Sequence, residues 1–82
     1  MNHDENGKIS LESADLQRAR LSLIEELEAI NLYQQRIEAT NDAELKKLLA
    51  HNMNEEKEHS AMLTEYIRKK DKAQDNAFKQ HD

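Results

Sequence analysis

An all-α fold is what this sequence predicts, and three observations carry it. The 82 residues include one glycine and no proline, so the chain almost lacks the residues that punctuate a strand-rich fold. Ala, Leu, Glu, Lys and Gln, all strong helix formers, are abundant instead. Apolar residues recur in heptad register at Leu16, Leu23, Ile30 and Ile37.

The elements follow in order. "HDENGKIS" is polar and holds Gly7, the sole glycine, so residues 1–9 read as a flexible N-terminal arm. Ser10 is a suitable N-cap for a helix starting at Leu11, with acidic Glu12 in its first turn. The heptad stripe, with Leu27 alongside, then defines a core-facing helix over about 11–40. It stops at "ATND", where Asn41 followed by Glu44 resembles a capping box with Asn in place of Ser or Thr. A second helix, about 42–71, carries Leu45, Leu48, Leu49, Leu63, Tyr66 and Ile67 on one side, with Met53 and Met62 as packing residues. It ends near "RKKDK", where basic residues suit a helix C-terminus. Residues 73–82 read as a tail or a short third helix anchored by Phe78. A connection of a few residues makes the long helices antiparallel, giving a helical hairpin over 10–72.

Composition limits what such a hairpin can be. With 37% hydrophobic and 35% charged residues, a lone hairpin would have a marginal core, because domains of this size bury only about 60% of their unfolded surface. The chain is therefore expected to complete its core with a second copy, as a homodimer closing a four-helix bundle. A net charge of -5 argues against nucleic acid. No apolar run approaches the roughly 20 residues of a membrane span. "MNHDENGKIS" lacks the apolar core of a signal peptide, and the absence of Cys excludes a disulfide framework, so a cytoplasmic location is expected. "DENGKIS" echoes a calcium loop, but Ser13 stands six positions after Gly7 where a bidentate Glu is required.

The informative anomaly is charge inside the stripe. At 100° per residue, Glu56 and His59 fall within about 30° of the centre of the second helix's apolar side, and Asn52 joins them. Glu58 points away and Glu55 sits on the flank. In the first helix Glu26 lies about 50° from the stripe centre, while Glu25 is nearly opposite and Glu28 is also outside. Glu26 and Glu56 are equally far from Asn41, about 22 Å at 1.5 Å per residue, so they should meet across the seam.

Burying an unpaired carboxylate costs several kcal/mol, and two side by side cost more unless protons or a cation intervene. A metal ion relieves both, with carboxylate oxygens and an imidazole nitrogen as ligands. Carboxylate-bridged four-helix bundles use a Glu from each of two helices and a Glu-x-x-His from each of two others. This chain supplies one of each, which is half a di-metal site. The bland alternative is a helix whose inward polar residues only fix register in an oligomerisation module. Tyr33, seven residues after Glu26 on the same side, fits either a redox or hydrogen-bonding partner or a core tyrosine. His51 lies off the stripe, and His3 and His81 lie in the tails.

At this point "EELEAINLYQQRIEATNDAELKKLLAHNMNEEKEHSAML" resembles the encapsulated ferritins, two-helix ferritin-like proteins carried inside encapsulin shells. "EELEA", Tyr33, "AHN" and "EEKEH" carry the resemblance over about residues 20–70. It implies a ferroxidase that oxidises Fe(II) to Fe(III) with oxygen at a di-iron centre between two subunits. Glu26, Glu56 and His59 match the iron ligands, and Tyr33 matches a tyrosine beside the centre. Glu25 and Glu28 match acids of a secondary metal site on the route inward. The implied assembly is a ring-shaped homodecamer of five dimers that hands ferric iron to the encapsulin shell for storage. Zinc, manganese or calcium could substitute at such ligands, and a rubrerythrin-like peroxidase is the neighbouring di-metal chemistry. Leu32 departs from the aromatic residue that often precedes the tyrosine. The C-terminal shell-docking extension is not present, which implies a shortened chain or another route to the shell.

Overall fold

The computed structural model describes residues 10–82, so the expected arm over 1–9 and the calcium-loop echo lie outside the described residues. It is all-helical, with α1 at Leu11–Ala39, α2 at Ala43–Lys70 and α3 at Lys72–His81. There is no strand among the described residues.

The local chemistry explains each boundary. Ser10 caps α1, its hydroxyl accepting from the Ser13 amide at 3.1 Å. Thr40 ends α1 in extended backbone, its amide donating to the Arg36 carbonyl. The cap of α2 is Asp42 and not the expected Asn41: the Asp42 carboxylate accepts from the Glu44 and Leu45 amides at 3.0 and 3.2 Å. The shift has a cause. The Asp42 amide donates to the Thr40 hydroxyl at 3.2 Å, so Asn41 is held in the turn between the two. A carboxylate at a helix N-terminus also gains from the dipole, which an amide does not.

The antiparallel arrangement is visible in the pairs that meet. Arg20 reaches Asp71, Leu23 shares a small cavity with Thr64 and Ile67, and Glu26 reaches His59. Residue numbers rise on one helix as they fall on the other. The core of one chain is thin. Among the described residues only Ala19 and Ile67 are buried, while Leu16, Leu23, Ile30 and Ile37 are half-buried along the seam. Leu21, Ile24, Leu27, Leu32 and Leu48 remain exposed. Met62, read from sequence as a packing residue, is 70% exposed, because it lies off the seam that α2 presents to α1. No described helix is long and apolar enough to cross a membrane.

Helix α3 docks on α2 through charge and one aromatic ring. The Arg68 guanidinium donates to the Asp75 carboxylate at 2.9 Å and lies 4.8 Å from the centroid of the Phe78 ring. Lys79 reaches the other Asp75 oxygen at 3.0 Å.

Candidate metal centre

Glu26 stands in the middle of α1, and Glu56 and His59 lie one turn apart in the middle of α2. The antiparallel packing brings all three together. One ligand atom from each lies within 4.8 Å of the other two. His59 Nδ1 is 3.4 Å from Glu26 Oε2 and 3.5 Å from Glu56 Oε2. No other group of three or more His, Asp or Glu residues converges in this way among the described residues.

Burial differs across the cluster. The Glu26 and Glu56 side chains are 24% and 22% exposed, whereas His59 is 49% exposed. The carboxylates lie down the seam and the imidazole stands at its mouth. Glu26 Oε2 is itself buried and has no hydrogen-bond partner, the 3.4 Å approach of His59 being an ion-pair contact and not a hydrogen bond. It is also the only such side-chain oxygen or nitrogen among the described residues. A buried carboxylate oxygen without a donor is costly, so its persistence needs a reason.

The donor set fits a metal ion. Neighbouring ligands of one ion, each about 2.0–2.2 Å from it, lie about 3 Å apart, so separations of 3.4 and 3.5 Å need only small side-chain movements. Two carboxylates carry the charge that a divalent or trivalent cation neutralises, and a neutral imidazole adds nitrogen. One chain offers three donors, fewer than two metal ions require, and His59 faces outward.

The other residues that the sequence singled out lie apart from this cluster. Glu25 and Glu28 are exposed on α1 and do not join it. Tyr33 is half-buried about 10 Å farther along α1, with the Arg36 guanidinium 5.8 Å from its ring centroid. His51 is exposed and pairs with Glu55 at 2.9 Å. Sequence reasoning missed the charged contacts at the α3 end. Their signal was Arg68 and Asp75, seven residues apart across the break at Asp71.

The sequence model of the EncFtn-like family matches residues 1–81. Over 60 residues the chain is 50% identical to the encapsulated ferritin-like protein of Rhodospirillum rubrum, covering 73% of this chain and 43% of that one. It is 39% identical over 77 residues to a ferritin-like protein of Thermotoga maritima, covering 94% and 68%. A Myxococcus xanthus encapsulin nanocompartment cargo protein, EncC, is 46% identical over 55 residues, covering 67% and 42%. The matches thus span less than half the length of two of these relatives. A Nitrosomonas europaea protein known from a crystal structure superposes with a TM-score of 0.85 at 52% identity, covering 94% of this chain and 85% of that one.

Proposed function

The chain belongs to the EncFtn-like family, and from that premise we propose that it is a ferroxidase acting on Fe(II) between two subunits. The observation that carries this reading is the orphaned Glu26 oxygen beside Glu56 and His59, a site short of positive charge.

In this reading a second copy faces the first across the seam and contributes the same three residues. The six side chains would hold two iron ions, with Glu26 and Glu56 supplying carboxylate oxygens and His59 supplying neutral nitrogen. Each Fe(II) gives up one electron and oxygen accepts them. The carboxylates lower the energy of the product because Fe(III) carries more charge than Fe(II). Tyr33 lies farther along the same helix, where it would hydrogen-bond a ligand or pass an electron, and Glu25 and Glu28 would draw cations inward from solvent.

The exposed apolar residues Leu21, Ile24, Leu27, Leu32 and Leu48 support a partner copy, since burying each is worth roughly 1.5–3 kcal/mol. Dimers arranged as a ring-shaped decamer inside an encapsulin compartment, feeding its iron store, extend the reading to the whole assembly. The names of the relatives in Rhodospirillum rubrum and Myxococcus xanthus support that setting.

The test is anaerobic titration of metal-free protein with Fe(II), followed by mass measurement without denaturation. Two irons per dimer, with dimer appearing as iron binds, is the expected result. Unchanged mass and no bound iron would favour a register-fixing interaction module instead.

A further inference from the structure

The boundary between α2 and α3 is a single residue, Asp71, with no glycine or proline near it. Nothing in the local backbone chemistry of "IRKKDKAQDNAF" obliges a helix to stop there. Side chains hold the break. Asp71 sits at φ -120, ψ 99 and serves both helices: its amide closes α2 on the Ile67 carbonyl at 2.8 Å, and its carboxylate caps α3 by accepting from the Gln74 amide at 3.1 Å. The other carboxylate oxygen takes the Arg20 guanidinium of α1 at 2.9 Å. The second set of contacts is Arg68 with Asp75 and Phe78, supported by Lys79.

The break leaves the amides of Lys72, Ala73 and Gln74 without the carbonyls four residues back that a continuous helix would give them. Only the Gln74 amide has a replacement, in the Asp71 carboxylate. Straightening would restore that ladder and would cost the Gln74 and Arg20 contacts of Asp71 and the Asp75 and Phe78 contacts of Arg68. The two arrangements oppose backbone bonds to surface ion pairs, which are individually weak and screened by salt.

We propose that α3 is a hinged arm, latched in its folded-back position by Asp71 on Arg20 and by Arg68 on Asp75 and Phe78. When the latch opens, α2 and α3 join into one helix from Ala43 to His81. The opened form carries Phe78 and Gln74 away from the bundle, so the cavity of about 180 Å³ that they now close over Arg20, Leu23, Thr64 and Ile67 opens to solvent. This inference does not depend on the proposed ferroxidase activity, because none of the latch residues belongs to the Glu26, Glu56 and His59 cluster.

The chain has no cysteine, so pairs of spin labels can be placed cleanly. Labels at Ala61→Cys and Gln80→Cys, diluted with excess unlabelled chain to suppress distances between copies, report the hinge. With the native latch the separation is short, because Phe78 shares its cavity with Thr64. In Asp71→Ala the expected separation is a narrow distribution near 29 Å, the axial span from residue 61 to residue 80 at 1.5 Å per residue. Arg20→Gln, which leaves both caps in place, should populate the same long distance partially and more so in high salt. A short distance retained in both variants overturns the hinge. So does a broad distribution with lost helicity, which would mean that α3 unfolds when released.

Discussion

The α3 end and the middle of the α1–α2 seam use the same kinds of residue to opposite effect. At the α3 end the acids between the helices are matched: Asp71 with Arg20, and Asp75 with Arg68 and Lys79. In the middle, Glu26 and Glu56 share one imidazole, and a Glu26 oxygen is buried without a hydrogen bond. A matched cluster is complete within one chain and serves structure. An unmatched one is costly as it stands, and two carboxylates with a histidine are donors whose charge a cation would neutralise. The difference between a latch and a candidate metal centre lies in the charge balance of the group.

Removing an acid from the unmatched cluster should give the largest effect. Glu26→Ala is expected to lower Fe(II)-stimulated oxygen consumption by more than about 100-fold, since even outer partners of a metal site are worth about 10–100-fold. Glu25→Ala and Glu28→Ala, exposed and outside the cluster, should slow the same reaction only a few-fold. Full activity in Glu26→Ala would break the assignment of the centre.

A second, smaller effect has the opposite sign at the two places. Without metal, Glu26→Leu removes a buried oxygen that has no donor, so the chelated variant should gain about 1 kcal/mol. For a domain of this size that is a rise in Tm of roughly 4–8 °C. Asp71→Leu removes a capping, paired acid and should lower Tm in the same scan. A fall in Tm for Glu26→Leu would mean that its carboxylate already has the partner it needs.

Much of this contrast was legible in the sequence, and what was missed shares one physical character. The heptad of Leu16, Leu23, Ile30 and Ile37 gives α1 because helical periodicity repeats over four turns or more. The meeting of Glu26 with Glu56 and His59 follows from equal distances to the turn, a consequence of fixed helical rise. Asn41 and Asp42 could not be separated from sequence, because both are good caps and the choice depends on the Thr40 hydroxyl. Met62 looked like packing because methionine in a helix usually is; its exposure depends on which side of α2 meets α1. The role of Asp71 was hidden for a similar reason. Its Arg20 partner lies fifty-one positions away, and no local pattern announces a pairing at that separation.

The smallest expected effect concerns the matched end and acid. The hydrogen bond from Arg68 holds the Asp75 carboxyl below its ordinary value of 3.8, the Lys79 hydrogen bond adds to this, and partial burial opposes both. Arg68 in turn is raised, chiefly by Asp75, with Glu65 of α2 and Asp82 contributing. A carboxyl depressed in the folded state stabilises α3 docking fully above 3.8, and that contribution fades as pH falls through the lower folded value. Arg68, raised by its acidic neighbours, stays charged throughout the acid range, so its contribution does not change there. Amide exchange followed from pH 6 towards 3 should therefore show α3 losing protection before the α1–α2 seam does. Asp75→Asn should remove most of that pH-dependent step and leave α3 weakly protected throughout. If the variant loses protection over the same acid range as the native chain, Asp71 against Arg20 is the pair that governs the end of the bundle, and Asp75 only follows it.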